Sequence, residues 1–453
     1  MPRQYKKTRL AAAAGVVVMG LGLSATAEAV VVVGGDNGWE VSFDGHINAF
    51  YTISDSDTGY TSLGYNVPGT GTPVGTFAAV PDIDQSRIQS GFLPAYFSFN
   101  VKSPTVGGLT ATGRITFAPQ IQNANVKNQF HTNGGFNGGT PGFQGSSIDT
   151  REVVVDIDGD FGTFSFGRAL SIFGRQAMLK DQTLYGVGAP GGSTGGGFAG
   201  TGGGGGSSAG RIGRGFTYSN FNARFSYKTP NLNGLQVEIG IYDPSVEQGF
   251  GASRFANILD QTDTPRFEGE AKYTSAFNNG SFQLWIDGLW QDLESSASGA
   301  NGDVTVSGFG AGADIKYGAW NLLGYYYTGE GLGRSLQFVG GTRCDVTGNI
   351  CEEADADGYL VQGSYTFNDM TKVTGSYGES NEDSMDANPT AALAQTRDAQ
   401  LSMWTVGVYH DINSWMKLIA EYSNAENEFG DVAGSLGADT EADVFSLGTF
   451  FFW

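Results

Sequence analysis

Few residues of this sequence have the types and spacing of a catalytic or metal-binding set. The three histidines, His46, His131 and His410, lie far apart, and none stands in the HExxH frame of a zinc hydrolase. No serine, histidine and acidic residue form a recognisable nucleophilic triad. We therefore expect a protein that is not an enzyme and that has no catalytic residue and no metal centre.

Two further motifs match a ligand-binding pattern only in part. Gly202–Gly206 is a glycine run, but no Lys-Ser or Lys-Thr pair follows it and no helix pattern begins after it, which argues against a phosphate-binding loop. Asp355–Gly358 lacks the other ligands and the closing glutamate of a calcium loop. We expect no cofactor, and calcium bound weakly at acidic external loops stays open as an alternative.

The two cysteines, Cys344 and Cys351, bracket the stretch DVTGNI. In an exported protein, two cysteines this close on one loop are more often a disulfide than a metal or redox pair. The sequence therefore predicts a Cys344–Cys351 disulfide.

Residues 1–29 have the pattern of a cleaved secretory signal. A basic start precedes the apolar run Leu10–Leu23, which is too short to span a bilayer as a helix, and small residues place the cleavage site after Ala29 or Ala27. Cleavage after Ala29 removes four basic residues and one acidic residue, which leaves 21 basic and 45 acidic residues and a formal charge of −24. Such acidity argues against nucleic-acid binding, which needs a basic surface.

The rest of the chain, residues 30–453, has the composition of a transmembrane β-barrel. It contains no run of 18 apolar residues, yet the sequence is rich in aromatic and turn residues, with 71 Gly and 31 Phe. Segments long enough to cross an outer membrane need about 9–11 residues, and the sequence predicts sixteen of them. They are 39–53, 86–102, 108–121, 148–158, 160–168, 211–228, 234–243, 264–276, 281–292, 303–317, 319–329, 357–367, 370–380, 398–411, 414–424 and 440–453.

The predicted connections alternate between short turns and long loops, as in outer-membrane barrels. An even strand number places both chain ends at the short-turn, periplasmic end, where the first and last strands pair and close the sheet. Alternation also predicts two faces: in 109–121, Leu109, Ile115 and Phe117 share a lipid face, whereas Arg114 and Thr116 share a water face.

The longest predicted connection, 169–210, has no period. It follows a tight hairpin that turns at 158–162. Loops of this length in compact domains are usually functional or disordered. We expect 169–210 to fold into the barrel lumen and to narrow it.

Four stretches resemble the general porins of Gram-negative outer membranes, which are trimeric sixteen-stranded barrels with an inward third external loop. The stretches SFDGHINAFY (42–51) and SRIQSGFLPAYF (86–97) are similar to the first two strands of that family. TREVVVDIDGDFGTFSFGR (150–168) resembles the fourth and fifth strands, and GRIGRGFTYSNFNARFSYKTPNLNGLQVEIGIY (210–242) the sixth and seventh. The chain end, Phe450–Trp453, resembles the aromatic terminus that the family's assembly machinery reads.

The resemblance implies a homotrimer among outer-membrane lipids and lipopolysaccharide, and a constriction that sets basic wall residues against acids of the inward loop. The basic positions that match are His46, Arg87, Arg151 and Arg211, with His46 in place of a usual lysine. The full candidate constriction set is His46, Arg87, Arg114, Arg151, Arg168, Arg175, Lys180, Asp181 and Arg211.

Arg151 conflicts with simple alternation, because the neighbours Val153, Val155 and Ile157 would put it on the lipid face. Either a β-bulge re-aims the side chain, or the strand begins later than residue 148.

The predicted function is a passive, water-filled channel for small hydrophilic solutes and ions in the outer membrane, selective by size and by charge at the constriction. Because 169–210 holds one acid, Asp181, against Arg175 and Lys180, we expect a net basic constriction and an anion preference. A solute-specific channel is the first alternative; a barrel enzyme and a structural surface barrel are the others.

Overall fold

The structure of the protein is a computed structural model. The model describes residues 30–34, 37–56, 59–60, 65–66, 73–74, 79–80, 83–119, 121, 148–189, 208–211, 219–244, 259–295, 302–332, 341–344, 351–383, 398–429 and 440–453. The proposed signal 1–29 and loop 122–147 lie outside this described part, as does 190–207 of the predicted inward loop. Within the described ranges, no helix is long and apolar enough to cross a membrane.

Sixteen strands of the described part form one closed antiparallel barrel, as the sequence predicts. They are β1 (Glu40–Ser56), β2 (Ile83–Gln89 with Tyr96–Lys102), β3 (Thr110–Pro119), β4 (Ile148–Gly159), β5 (Gly162–Leu170), β6 (Phe221–Lys228), β7 (Leu235–Tyr242), β8 (Arg266–Phe277), β9 (Gly280–Ser295), β10 (Asp303–Tyr317), β11 (Trp320–Glu330), β12 (Asp355–Phe367), β13 (Thr371–Glu382), β14 (Ala399–Asn413), β15 (Met416–Phe429) and β16 (Thr440–Phe452). Neighbours in this order pair, and β16 pairs with β1 from His46↔Phe452 to Ser56↔Ala442. That last pairing closes the sheet and leaves no edge.

Shorter elements accompany the barrel. Val30–Gly34 pairs with the start of β1, and Leu259–Gln261 pairs with the end of β9. Thr342–Cys344 pairs with Cys351–Glu353 in a separate two-stranded sheet. Two-residue pairs join Gly59–Tyr60 to Ala79–Val80 and Tyr65–Asn66 to Pro73–Val74.

The two faces of the wall follow the period of two in each strand. On β9, the outward-facing Leu284 and Ile286 are 46% and 50% exposed, whereas the inward-facing Asp287 is 3% exposed. The same alternation leaves large apolar side chains exposed on one face all round the barrel and buries polar ones on the other. A surface of this kind suits lipid outside and water inside. The tryptophans and tyrosines expected at the membrane interfaces are all exposed: Trp39, Tyr51, Trp320, Tyr326, Trp415 and Tyr422.

The second strand is not continuous, contrary to the predicted segment 86–102. It breaks at residues 90–95, SGFLPA. Its first part pairs with residues 50–56 of β1, and its second part pairs with residues 40–46. Side chains of β1 hold the break: Asn48 Nδ2 donates to Leu93 O at 2.8 Å, and Gly91 N donates to Asn48 Oδ1 at 2.7 Å. Pro94 has no N–H for a ladder, which is one local reason for the break. We call residues 90–95 the wedge.

Two further expectations need correction. Strand β6 begins at Phe221, so Arg211 lies in the preceding loop and not on a strand starting at residue 211. The loop after β5 also contains regular structure, the helix α1 (Arg175–Lys180) and a 3₁₀ helix (Gln182–Tyr185). Helices this short give too few turns to produce a period in the sequence.

Candidate functional site

Residues 171–189, which we call the central segment, are held by carboxylates of the wall. Glu268 on β8 accepts hydrogen bonds from Ile172 N at 2.7 Å and Phe173 N at 2.9 Å. Asp287 on β9 accepts one from Gly174 N at 3.2 Å. Because both acids lie on the buried, polar face of their strands, the segment contacts the face opposite the exposed apolar side chains.

The second half of the central segment is bound in the same way by later strands of the barrel, β12 and β15. Gln362 on β12 accepts a hydrogen bond from Gln182 N at 2.8 Å, and Glu421 on β15 accepts one from Val187 N at 2.9 Å. The segment therefore contacts polar positions from β8 to β15 along its length. Hydrogen bonds to charged acceptors are worth about 1.5–3 kcal/mol each, so these contacts fix the path of the backbone.

Ion pairs add to this attachment. Arg175 Nη2 lies 2.8 Å from Glu238 and 3.4 Å from Glu270, on β7 and β8, and Lys180 Nζ lies 2.8 Å from Asp314 on β10. Burial alone would lower the pKa of Arg175, but the two glutamates outweigh it and raise that pKa above its ordinary range. The guanidinium is therefore charged under all physiological conditions.

Asp181 and Arg211 join two parts of the loop that are 30 residues apart. The Arg211 guanidinium donates to both oxygens of Asp181, with Nε at 2.9 Å, and both side chains have no exposed surface. Asp181 also accepts a hydrogen bond from Thr183 N at 2.9 Å and thereby caps the 3₁₀ helix. This buried pair contains the acid and one of the bases of the candidate set.

Apolar packing fills the space between the central segment, the wedge and the wall of β1, β14, β15 and β16. The cluster includes Phe92 and Leu93 of the wedge and Leu184 and Val187 of the segment; its wall members include Phe50, Tyr409, Ile419, Phe450 and Phe452. Phe92 N also donates to Gly186 O at 2.8 Å, so wedge and segment touch through their backbones. The wedge is thus a support of the central segment that the sequence did not predict.

Arg114, from the candidate set, lies between two acids. Its Nη2 is 3.0 Å from Asp44 on β1 and its Nε is 2.9 Å from Glu152 on β4. Thr116 donates to the same Glu152 oxygen at 2.8 Å. The strand positions confirm the predicted water face of β3, because Thr116 is buried while Ile115 is 43% exposed.

Arg151 is the residue at which alternation fails. The β3–β4 register shifts between Thr150 and Glu152, which is a β-bulge, and the side chain is 2% exposed. Its Nη1 donates to Tyr96 Oη at 2.7 Å, and the guanidinium lies over the Tyr96 ring at 5.3 Å. Of the two explanations offered by the sequence, the bulge is the one present, as expected for a device that re-aims a side chain.

His46 and Arg87 also occupy the inner face, but in different surroundings. His46 is 2% exposed, its Nε2 hydrogen-bonds Pro94 O at 2.9 Å, and the rings of Tyr96, Phe450 and Phe452 surround it. It therefore supports the wedge and does not stand in open water. Arg87 pairs with Thr52, whose side chain is buried, whereas its neighbour Ile88 is 69% exposed.

Arg168, which the sequence analysis included in the candidate constriction set, does not face the lumen. It pairs directly with Val153, which is 45% exposed, and it follows the exposed Phe164 and Phe166 at period two. Residues that pair directly across a sheet share a face. Arg168 therefore lies on the outer surface near the long-loop end of β5.

Basic side chains around the central segment are paired with acids of the wall and of the loop. The ion pairs join Arg114, Arg175, Lys180, Arg211, Arg224 and Arg266 to Asp44, Glu152, Asp181, Glu238, Glu268, Glu270 and Asp314. The net basic constriction stays a prediction, drawn from the acids of the loop without a count of the wall acids.

Glu268, Glu270 and Glu421 are functional residues that the sequence analysis missed. Glu268 and Glu270 lie two residues apart in RFEGEAK, and Glu421 lies between Ala420 and Tyr422 in LIAEYS. A period of two is sufficient to put such positions on the water face. Nothing in the local sequence indicates that they bind backbone N–H groups about 95 to 234 residues away.

The cysteines lie opposite each other in the small sheet outside the barrel. Cys344 pairs with Cys351 in register, Cys351 is disulfide-bonded, and no free cysteine occurs in the described part of the chain. The pair thus ties the strands Thr342–Cys344 and Cys351–Glu353 together beyond the long-loop ends of β11 and β12.

Comparison with known proteins places the chain among bacterial channels. A family model described as Gram-negative porin matches residues 11–430. The outer membrane channel DcaP of Acinetobacter baumannii is similar in structure, with 14% identity, a TM-score of 0.58, and coverage of 94% of this chain and 100% of that one. The anion-selective porin from Comamonas acidovorans has 13% identity and a TM-score of 0.51, over 92% and 100% of the two chains. No curated protein sequence matches significantly.

Proposed function

The chain belongs to the Gram-negative porin family and is an outer-membrane channel for passive diffusion of small hydrophilic solutes, and we propose that its loop 169–210 forms the constriction of that channel. The mechanism is exclusion by size combined with the field of the lining charges, with no covalent step. In this arrangement the central segment narrows the lumen, and the wedge supports it from the side of β1.

The observation that carries this proposal is the set of wall side chains that bind backbone N–H groups of the central segment. Glu268, Asp287, Gln362 and Glu421 lie on β8, β9, β12 and β15, on the face away from lipid. A segment attached to all four strands crosses the space that they enclose. These bonds satisfy the buried backbone N–H groups of Ile172, Gly174, Gln182 and Val187.

Ion selectivity follows from the same contacts. Arg114, Arg175, Lys180 and Arg211 each contact a carboxylate, so their fields are partly cancelled at short range. We propose that the constriction itself discriminates weakly between small anions and cations. The anion preference expected from the sequence then depends on charges elsewhere in the lumen.

The test of the constriction uses one introduced thiol. Lys180 is 23% exposed and lies at the end of α1, so Lys180→Cys places a reactive thiol on the central segment. A bulky, membrane-impermeant thiol reagent added to the reconstituted channel reduces single-channel conductance if this residue lines the narrow passage. Labelling that is complete by mass but leaves conductance unchanged contradicts the proposal.

A matched control is available on the outer face. Ile286→Cys on β9 puts the same thiol on an exposed, outward position. We expect its labelling in detergent to leave the conductance of the reconstituted channel unchanged. The native cysteines do not interfere as long as their disulfide is intact.

For assembly we propose a homotrimer, following the resemblance to general porins. Contiguous exposed apolar side chains on β1 to β5, among them Ile53, Ile88, Phe99 and Phe166, offer a face that both lipid and a second copy can cover. We also propose that outer-membrane lipids and lipopolysaccharide surround the rest and that the assembly machinery reads Trp453. The backbone of Trp453 pairs with Gly45 at the start of the closing strand pair.

A further inference from the structure

Five lysines lie on the inner face of the barrel near its short-turn end, on strands β6 to β15. They are Lys228, Lys272, Lys316, Lys372 and Lys417, which we call the lysine arc. Four of the five stand at the short-turn end of their strand or one residue from it, and Lys272 stands five residues from that end. The short-turn end is the periplasmic end in barrels of this type.

Register places each lysine of the arc on the inner face. Lys272 pairs with Trp285, Lys372 with Tyr409 and Lys417 with Phe450, and these three partners are buried on the face away from lipid. Lys228 pairs with Glu238, which binds the central segment. Lys316 lies two residues from Asp314, which binds Lys180 of that segment.

Members of the arc are near enough to act together. Lys372 is within electrostatic range of both Lys417 and Lys316, and Lys272 is within range of Lys180. The arc therefore continues to the central segment. Lys372 packs its Nζ 4.9 Å from the centre of the Tyr409 ring, which fixes the direction of that side chain.

The opposite wall carries the other sign. Within five residues of the short-turn end, and among the residues described, the inner face of β6–β15 holds six basic and four acidic residues, whereas that of β1–β4 holds two basic and four acidic. The first set is Arg224 with the lysine arc, against Glu238, Asp314, Asp411 and Glu421; the second is Lys102 and Arg114, against Glu40, Asp44, Asp156 and Asp158. Asp369 lies in the turn between β12 and β13.

We propose that the lysine arc is an anion-binding track in the periplasmic vestibule, which takes small carboxylate or phosphate solutes along the β6–β15 wall. The inference rests on the channel function proposed above and adds the solute class and the wall that it follows. A water-filled cleft with low-dielectric walls and an excess of one sign of charge concentrates ions of the opposite sign. Among the described residues, Lys272, Lys316 and Lys372 form no ion pair, unlike the basic side chains around the central segment, whereas Lys417 Nζ lies 2.5 Å from Asp411.

The test replaces three lysines at once. Lys272→Gln, Lys316→Gln and Lys372→Gln remove charge without changing the β8, β10 and β13 backbones, and the matched control is the triple Lys→Arg variant at the same positions. In planar bilayers under a gradient around 0.1 M KCl, we expect the anion-to-cation permeability ratio to fall about twofold in the Gln variant. The Arg variant should retain the wild-type ratio. Near 1 M KCl the difference should shrink, because the Debye length falls from about 10 Å to about 3 Å.

Citrate supplies a second readout. Added to one side at a time, this trivalent anion should reduce wild-type single-channel current from the short-turn side, and the Gln variant should lose most of that block. An unchanged permeability ratio and unchanged citrate block in a conducting Gln variant would overturn the track while leaving the channel function intact. Absence of any wild-type conductance would instead refute the channel function. If the triple Gln variant fails to insert, Lys272→Gln with Lys316→Gln repeats both measurements.

Discussion

Arg211 is bound by Asp181, the acid that ends α1, and both side chains are fully buried within the loop that follows β5. The pair joins two parts of the loop that are 30 residues apart in the sequence. Arg211 also donates to Thr405 on β14, at 3.3 Å. The loop is thereby fastened to itself and to the wall at one point.

Loss of this pair should loosen the loop. Asp181→Asn leaves Arg211 buried without its charge partner, and removing one member of a buried ion pair costs about 3–5 kcal/mol. We expect a lower thermal unfolding midpoint in detergent and more frequent brief closures in single-channel records. Asp369→Asn, the same change in a short turn where asparagine tolerates the positive φ, is the control and should do neither. Equal behaviour of the two variants would show that the pair does not hold the loop.

Glu268 should control the size limit of the channel. Glu268→Gln replaces the carboxylate by a neutral amide, so the hydrogen bonds from Ile172 N and Phe173 N become weaker and the start of the central segment is held less tightly. Liposome swelling with sugars of graded size should then show faster entry of the larger sugars. Glu379→Gln, an equal change at an outward position of β13 beside Tyr377, is the control and should match the wild type. An unaltered size limit in Glu268→Gln would contradict the role given to this contact.

Two arginines distinguish the inner from the outer face. Arg114→Gln removes a cation between Asp44 and Glu152 and leaves those acids uncompensated, so the reversal potential under a KCl gradient should shift toward cation preference. Arg168→Gln should not shift it, because that side chain lies outside the barrel. A shift of similar size in both variants would mean that the face of β5 is misassigned.

The disulfide should stabilise its own loop and leave conduction unchanged. Labelling of the denatured, unreduced protein should detect no free thiol. Replacing Cys344 and Cys351 by serine should loosen the segment between them by about 2–3 kcal/mol in the chain-entropy model, seen as faster proteolysis there. Conductance should equal that of the wild type; two labelled thiols in the native protein would refute the bond.

The trimer is testable by mass. Native mass spectrometry in mild detergent should give three copies of the chain. A single copy at every concentration would contradict the assembly proposed from the family resemblance.

The sequence alone was sufficient for the barrel because its information is local and repeats. A period of two assigns each side chain to a face, and turn residues mark the ends, so sixteen strands and their outward apolar residues followed from short windows. Cys344 and Cys351 are near in sequence and were predicted to pair for the same reason. Even the bulge at Arg151 was indicated by a local conflict in alternation.

The tertiary structure decided the contacts that make a channel of this barrel. Val187 and Glu421 are 234 residues apart, and only closure of the sheet brings β15 to the central segment. The wedge exists because Asn48 and His46 hold residues 90–95 away from the ladder, and the face of Arg168 depends on its register with Val153. Each of these depends on which strands lie opposite one another. That is a property of the closed barrel as a whole and is absent from any local stretch of the chain.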